Sequence, residues 1–400
     1  MEKQMEEQTT LQSTLEAGLA ERKSVYKLCR EIADSRNILN LLCERLERNG
    51  LVGESRNAMV IFLASLTRHF DRPSSIVIKG NSSSGKSFLL NKVLDLINPG
   101  SYHLVSSLTD KALQYSLEDM KHKHLAIGEM SGVNIDKGMI FLRQIMSEGK
   151  ATHWTVDSSD GNLNGREIVI EGPLGVFMTT TASSLHNEDE TRFLSLTLDS
   201  SPEQRRRILL AGAKAQNVAA NDNTDNDDWH AFDRWVSLGV RDVTIPFAEA
   251  LVEKADIKPF RIARDMGQVY ALIKASAMAH QKHRVVTNGV IEATLEDYAT
   301  VFHLLDPVFA HSYSQGLTGN ERILIDKLAQ LHESDPKGVV LQKDVAEAAG
   351  INESTVSRHV SRLQELGMLE INKAPDGRGN LLAPIPSGQS FLPHPAMISI

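Results

Sequence analysis

The 400-residue sequence is poor in cysteine and in long apolar runs. It contains two cysteines, Cys29 and Cys43, which are too few for a disulfide framework or a zinc site with four cysteine ligands. Residues 1–8 are charged and lack the apolar segment of a secretory signal, and no stretch approaches roughly eighteen consecutive apolar residues. These absences predict a cytoplasmic protein in a reducing compartment, with no membrane partner.

The charge balance is acidic, with a net charge of -8, and the composition is 41% apolar and 24% charged. These fractions are typical of a globular chain that can bury a full α/β core. A negative net charge argues against a surface that coats nucleic acid as a whole. Any nucleic-acid binding would therefore use a local basic face.

The most specific motif is the loop Gly80–Ser87, which reads Gly-Asn-Ser-Ser-Ser-Gly-Lys-Ser and directly follows the apolar run 75–78. A periodic apolar segment follows, so the order strand, loop, helix predicts a Walker A phosphate-binding loop. The glycines let backbone N–H groups turn toward a phosphate, Lys86 neutralises phosphate oxygens, and Ser87 offers its hydroxyl to Mg²⁺. The predicted nucleotide-binding residues are Gly80, Asn81, Ser82, Ser83, Ser84, Gly85, Lys86 and Ser87.

A second apolar run, residues 124–127, ends in Gly128 and Glu129. A buried strand would carry Glu129 to the carboxyl edge of the sheet, where it could activate the attacking water and bind magnesium. The aspartate that usually precedes this glutamate is replaced by Gly128. Magnesium must then rely on Ser87, on phosphates and water, and on Glu129.

Further polar residues follow the later strands. Thr180 lies in the Thr179-Thr180-Thr181 run that follows the predicted strand 174–178, and it could sense the γ-phosphate. Arg192 precedes the strand 193–198 and could reach a neighbouring subunit's phosphate. Arg261 and Arg264 begin a helix and are candidates for a second phosphate sensor. The alternatives are a surface arginine paired with the acidic run 188–190, and salt bridges within a helical lid.

Alternating residues predict a β-hairpin between about 150 and 170. Its cationic and aromatic side chains could follow single-stranded DNA, and they are Lys150, His153, Trp154 and Arg166. An ordinary exposed hairpin, with its tryptophan packed on the core, explains the same residues.

Near the carboxyl end, a helix, the helix Gln342–Ala349, a glycine turn, the helix Glu353–Leu366 and a hairpin predict a winged helix-turn-helix. The third helix would present small polar and basic residues to duplex DNA. These residues are Ser354, Thr355, Ser357, Arg358 and Arg362. Use of this domain for protein contacts is the alternative.

These patterns predict an α/β fold, namely an AAA+-like P-loop NTPase with a parallel sheet, a helical lid and a C-terminal winged helix-turn-helix. The predicted segments are an N-terminal helical region 1–50, an ATPase core with hairpin insert 51–215, a polar acidic loop and linker 216–242, the lid 243–312, the winged helix 317–386 and a flexible tail 387–400.

Several short motifs carry a family resemblance across residues 36–310. They are 68–73 leading into the P-loop, Ile127-Gly128-Glu129, Leu142-Arg143-Gln144, Ser147-Glu148-Gly149, Gly172-Pro173 before Thr179-Thr180-Thr181, Thr191-Arg192, Ser201–Gln204 and Glu296-Asp297-Tyr298. The segment resembles the helicase-type ATPase module of primase-helicase proteins from phages and mobile elements. That module is related to AAA+ ATPases such as minichromosome-maintenance and superfamily 3 helicases. The resemblance implies a DNA contact by the hairpin in a ring's pore.

The sequence therefore predicts an ATP- and Mg²⁺-dependent motor, a homo-oligomeric ring helicase or translocase that acts on DNA in the replication or maintenance of a mobile element. Single-stranded DNA would pass through the pore and duplex DNA would bind the winged helix. One alternative is an ATP-gated DNA-binding regulator or defence switch that unwinds nothing. Another is a protein-remodelling ATPase that uses the winged helix as an adaptor.

Overall fold

A computed structural model describes residues 2–105, 120–128, 135–157, 164–182, 189, 191–216, 225–257, 262–315, 318–334, 340–365, 368–374, 379–384 and 391–398. The chain divides into two compact units. The first comprises residues 1–246 and 268–304, and the second comprises residues 247–267 and 305–400. Within the described ranges, no helix combines the length and the apolar character that crossing a membrane requires.

Three helices open the first unit: α1 (Glu2–Ala33), α2 (Ile38–Arg48) and α3 (Ser55–Leu66). The predicted N-terminal helical region 1–50 is divided between α1 and α2, because the chain leaves the helix at Asp34. There the Asp34 carboxylate accepts hydrogen bonds from the Tyr26 hydroxyl, and the Ser35 hydroxyl accepts the N–H of Asn37. Such local bonds to short polar side chains compete with helical bonds and end the helix.

The central sheet of the first unit has five strands, which are β1 (Ile76–Lys79), β2 (Tyr102–Val105), β3 (Lys123–Ile127), β6 (Leu174–Thr180) and β7 (Leu194–Thr197). Their order is β2-β3-β6-β1-β7, and every neighbouring pair is parallel. All residues of β1 and β6 are buried, as expected for a parallel sheet covered on both faces. This mixed α/β architecture fits a P-loop NTPase fold.

Helices and a hairpin surround the sheet. They are α4 (Lys86–Leu94), α5 (Ile135–Glu148), the hairpin of β4 (Lys150–Asp157) and β5 (Asn164–Glu171), α6 (Pro202–Ala215) and α7 (Asp227–Ser237). The Ser201–Gln204 motif caps α6, because the Ser201 hydroxyl accepts the N–H of Gln204 at 3.1 Å. Aromatic side chains of α7 pack on α3, where the rings of Trp229 and Phe62 lie 5.6 Å apart.

The predicted helical lid, 243–312, also contains strands. Between α9 (Ile262–Ala279) and α10 (Leu295–Gln315) lie β9 (Val286–Thr287) and β10 (Val290–Glu292), which form a three-stranded sheet with β8 (Asp242–Thr244), a strand that precedes α9. Asn288 and Gly289 form the turn with φ of 52° and 77°. This is the Asn-Gly dipeptide that favours a two-residue hairpin, so the missed strands had a local signal.

The second unit includes α8 (Ala248–Lys254), α11 (Gly319–Ser334), β11 (Val340–Leu341), α12 (Gln342–Ala349), α13 (Glu353–Glu365), β12 (Leu369–Lys373) and β13 (Asn380–Pro384). Its strands form a sheet in the order β11-β13-β12. A shared apolar cluster, which includes Leu328, Val356, Leu363 and Leu382, packs the helices against this sheet.

Part of the carboxyl-terminal segment is packed. Composition predicted a flexible tail over 387–400, but Phe391, Leu392 and Ile398 are buried, and the ring of Phe391 lies 4.8 Å from that of Phe309. Burial of these apolar side chains holds residues 391–398 in place.

Candidate functional site

The Gly80–Ser87 loop joins β1 to α4 as the sequence predicts. Gly85 precedes the helix with φ of 92°, a conformation that a side chain would strain. Lys86 is the first residue of α4 and is 7% exposed. Its ammonium donates hydrogen bonds to the carbonyl oxygens of Gly80 and Asn81 at 2.9 and 2.8 Å. The cation therefore lies inside the loop, next to the N-terminus of a helix.

The loop also offers polar groups to a phosphate. The Ser84 hydroxyl is buried and has no hydrogen-bond partner among the described residues, while Asn81, Ser82 and Ser83 are exposed. A buried cation, a helix N-terminus and a hydroxyl with no described partner together fit an anionic group. Phosphate oxygens would replace the two carbonyl oxygens as acceptors for Lys86.

Strand order brings the ends of three strands together. Because β6 lies between β1 and β3, Thr180 pairs with Lys79 and Met178 pairs with Ile127. The Thr180 hydroxyl accepts the N–H of Ala182 at 3.1 Å, so it stabilises its own turn. The end of β6 therefore separates the phosphate loop from the end of β3.

Two hydroxyl groups meet at the end of β3. The Thr179 hydroxyl donates a short hydrogen bond to the carbonyl oxygen of Gly128, and the Ser87 hydroxyl donates to the same oxygen at 3.2 Å. Thr179 is fully buried, whereas Ser87 is exposed. The carbonyl of Gly128 thus links the phosphate loop to β6.

The Ser87 hydroxyl is an oxygen donor that suits magnesium carried by a nucleotide. No group of three or more His, Cys, Asp or Glu side chains that could hold a metal occurs in the part of the chain that the structure describes. Mg²⁺ keeps several waters and commonly takes few protein ligands beside substrate phosphates. Ser87 can supply one such ligand, and the predicted ligand Glu129 lies outside the described residues.

Arg192 lies in the turn before β7 and is half-buried. Its Nε donates a hydrogen bond to the Ser147 hydroxyl of α5 at 3.2 Å. One helical turn away, the guanidinium of Arg143 binds the carboxylate of Asp189 through two nitrogens, and the Asp189 carbonyl accepts the N–H of Arg192 at 2.9 Å. The turn that presents Arg192 is therefore fixed to α5.

The predicted second phosphate sensor is only partly described. Arg261 lies outside the described residues. Arg264 is an exposed residue in the first turn of α9 and belongs to the second unit. Its role stays a prediction.

The β4–β5 hairpin divides the four predicted DNA-binding residues into two sets. Lys150 and Trp154 are exposed, and Trp154 is 67% accessible. The strand partners of these two residues are Glu171 and Glu167, both exposed. His153 and Arg166 occupy the alternate register positions, opposite Ile168 and Thr155. The surface around Trp154 therefore carries carboxylates as well as a cation.

Helix α13 exposes Ser354, Ser357 and Arg358, while Thr355 is half-buried. Arg362 instead donates a hydrogen bond to the buried carboxylate of Glu321 at 3.3 Å. Burial raises the pKa of Glu321, but hydrogen bonds from the Thr318 backbone and from His359 outweigh burial, so its pKa lies below the ordinary value. Arg362 therefore helps to hold α13 on α11.

Sequence reasoning missed the contacts that depend on distant partners. The missed contacts are those of Thr179 with the Gly128 carbonyl and of Arg143 with Asp189. Thr179 and Thr180 are consecutive residues at the end of the same strand, and only strand alternation distinguishes them. Nothing local marks which hydroxyl meets the Gly128 carbonyl. The Arg143–Asp189 pair joins residues 46 positions apart.

No protein-family model and no curated protein matches the chain. Among solved structures it is similar to a full-length MCM homolog from Methanopyrus kandleri, with 15% sequence identity and a TM-score of 0.42 over 71% of this chain. The match spans 61% of that protein's length. At this level of similarity neither the fold nor the function of one protein can be transferred to the other.

Proposed function

We propose that this chain is a Mg²⁺-dependent ATPase of the AAA+-like type that assembles into a ring and moves or unwinds DNA. The observation that carries the proposal is the geometry of Lys86, which is buried at the N-terminus of α4 inside a loop that follows a central parallel strand. This arrangement suits the β- and γ-phosphates of a nucleoside triphosphate.

Each site residue then has a role within this chain. Lys86 binds phosphate oxygens, Ser87 contributes its hydroxyl to the metal that accompanies the nucleotide, and Glu129 orients or deprotonates the attacking water. Thr180 senses the γ-phosphate. When bound, Mg²⁺ supplies charge neutralisation between the phosphate groups.

The proposal assigns Arg192 to the active site of a neighbouring subunit. The turn that carries it is fixed on α5 by Arg143 and Asp189, and such a rigid support suits a residue that must reach a partner's phosphate. Arg261 and Arg264 are proposed as a second phosphate sensor.

DNA would bind at two places. The hairpin offers exposed Lys150 and Trp154 to a single strand. The order of helices and strands in residues 319–384, with the sheet order β11-β13-β12, supports a winged helix whose α13 meets duplex DNA.

The nucleotide site is tested by ATP binding and hydrolysis of the full chain. Lys86→Ala is expected to lose ATP binding, and Glu129→Gln to bind ATP without turnover. Lys92→Ala is the matched control, because Lys92 lies on the same helix and its ammonium is 5.6 Å from the centre of the Phe88 ring. This substitution should leave ATP binding unchanged. Normal hydrolysis by both site variants would reject the assignment of Lys86 and Glu129 to the nucleotide site.

The motor is tested by measuring hydrolysis with and without single-stranded DNA, followed by strand displacement on a forked duplex. Stimulation with displacement supports a motor. Duplex binding without displacement would instead support an ATP-gated regulator.

The ring is tested by mixing two inactive variants, Lys86→Ala and Arg192→Ala. If Arg192 acts on a neighbour, a Lys86→Ala subunit supplies the missing arginine and mixed assemblies recover part of the activity. No recovery, together with a monomer in the presence of ATP and DNA, would remove this role.

A further inference from the structure

The missing aspartate at position 128 raises the question of what orients Ser87. In this structure the Ser87 hydroxyl donates its hydrogen to the Gly128 carbonyl oxygen at 3.2 Å. A hydroxyl that donates its only hydrogen keeps its lone pairs for a cation. The backbone carbonyl therefore provides the acceptor that an aspartate side chain at this position could have supplied.

That carbonyl is itself fixed from two sides. The N–H of Gly128 donates to the carbonyl oxygen of Val105 on β2 at 2.9 Å, and the Thr179 hydroxyl donates to the Gly128 oxygen from β6. Thr179 is 0% exposed, so its hydroxyl is shielded from water on the donor side of this bond. Gly128 is thus held between the two strands that flank β3.

We infer that Thr179 is a positioning residue for magnesium binding: by fixing the Gly128 carbonyl, it orients the Ser87 hydroxyl toward the metal of a bound nucleotide. The inference rests on the proposed nucleotide site. A carbonyl oxygen has two lone pairs, and the two hydroxyls occupy both. The Gly128 carbonyl carries no net charge, unlike an aspartate carboxylate. The contribution of magnesium to nucleotide affinity therefore depends on the orientation of the Ser87 hydroxyl and on the phosphate groups.

A structural hydroxyl and a positioning hydroxyl differ in what their removal changes. Loss of a bond that only stabilises the core weakens nucleotide binding equally with and without magnesium. Loss of a bond that orients Ser87 weakens binding only when magnesium is present. The ratio of the two dissociation constants therefore separates the roles.

The experiment measures binding of a fluorescent, non-hydrolysable ATP analogue to the full chain in MgCl₂ and in EDTA. Ser87→Ala is expected to remove most of the magnesium enhancement. Thr179→Val should reduce it by about three- to tenfold, the range expected for one neutral hydrogen bond, with the dissociation constant in EDTA within about twofold. Thr179→Ser, which keeps the hydroxyl, should retain the enhancement.

Thr197→Val is the matched control. Thr197 ends β7 in the same sheet, and its buried hydroxyl has no hydrogen-bond partner among the described residues. Its substitution should leave both dissociation constants unchanged. If Thr179→Val does not fold, as judged by circular dichroism, Thr179→Ala takes its place in the comparison.

The outcomes separate this inference from the function on which it rests. Absence of nucleotide binding by the unmodified protein rejects the proposed function itself. Binding that magnesium tightens normally in the Thr179→Val protein overturns the positioning role alone, as does an equal loss of affinity in MgCl₂ and in EDTA.

Discussion

The guanidinium of Arg68 donates a hydrogen bond of 2.8 Å to the carboxylate of Asp233, and both side chains are almost completely buried. The Ser101 hydroxyl donates to the second oxygen of the same carboxylate at 2.7 Å. The pair joins the short helix Thr67–His69, which precedes β1, to helix α7. It therefore holds the segment that leads into β1 against α7.

Removing one partner of this pair should destabilise the protein strongly. Asp233→Ala leaves a buried guanidinium without its counter-ion, which costs about 3–5 kcal/mol of unfolding free energy. Glu21→Ala is the control, because it breaks the exposed Arg234–Glu21 pair and should cost less than about 1 kcal/mol. Urea unfolding measures both, and similar losses would contradict the assigned difference in burial.

The imidazoles of His69 and His124, which lie near Arg68, predict that the protein loses stability in acid. Burial, followed by the charge of Arg68, lowers the pKa of His69 to about 2 and that of His124 to about 3. The unfolded chain takes up protons near pH 6.5, whereas the folded chain does not. Stability is therefore complete above about pH 6.5 and falls as the pH decreases, by about 1.4 kcal/mol per pH unit for each histidine.

Urea unfolding between about pH 7.5 and pH 5 measures this slope. His124→Gln removes one titrating ring, so the slope should flatten by about 1.4 kcal/mol per pH unit. A slope that this substitution does not change would mean that His124 is not the group that takes up the proton on unfolding.

Trp154 offers a direct test of the hairpin. The chain has three tryptophans, and Trp154 is 67% exposed while Trp229 and Trp235 are 2% and 3% exposed. Single-stranded DNA should quench the emission of Trp154, and Trp154→Ala should weaken binding about tenfold through lost stacking. Trp154→Phe should keep most of the affinity.

The neighbouring carboxylate provides a variant with the opposite expected effect. Glu167 pairs with Trp154 across the hairpin and is exposed. Glu167→Gln removes repulsion between this carboxylate and the DNA backbone, so it should tighten binding. The DNA concentration that gives half of the maximal quenching of Trp154 emission should therefore fall. Unchanged affinity in both Trp154→Ala and Glu167→Gln would mean that this face does not meet DNA.

The two arginines of α13 should behave differently. Arg358 is exposed, so Arg358→Ala should weaken duplex binding and reduce the slope of log affinity against log salt by about one, without loss of stability. Arg362→Ala should also destabilise α13 by about 1 kcal/mol, because Arg362 bonds the buried Glu321. Fluorescence anisotropy at several salt concentrations measures binding, and amide hydrogen exchange measures the stability of α13.

The sequence by itself determined the elements whose signals are local. The apolar run, the glycine-rich loop and the periodic segment after it predict the order strand, loop and helix, and the structure confirms this order in β1, the Gly80–Ser87 loop and α4. Phosphate binding by the loop stays a prediction. The helices and hairpin of residues 319–384 were predicted in the same way. The turn at Asn288 and Gly289 carried a comparable signal that was missed.

Only the tertiary structure decided which distant groups meet. The insertion of β6 between β1 and β3 brings Thr179 to the carbonyl that Ser87 also contacts, and the fold pairs Arg143 with Asp189 and Arg362 with Glu321. Strand order and ion pairing depend on how the whole chain packs, whereas residue spacing reports only neighbours along one helix or strand. The Gly80–Ser87 loop could therefore be predicted from its own residues. The contact of Ser87 with the Gly128 carbonyl could not.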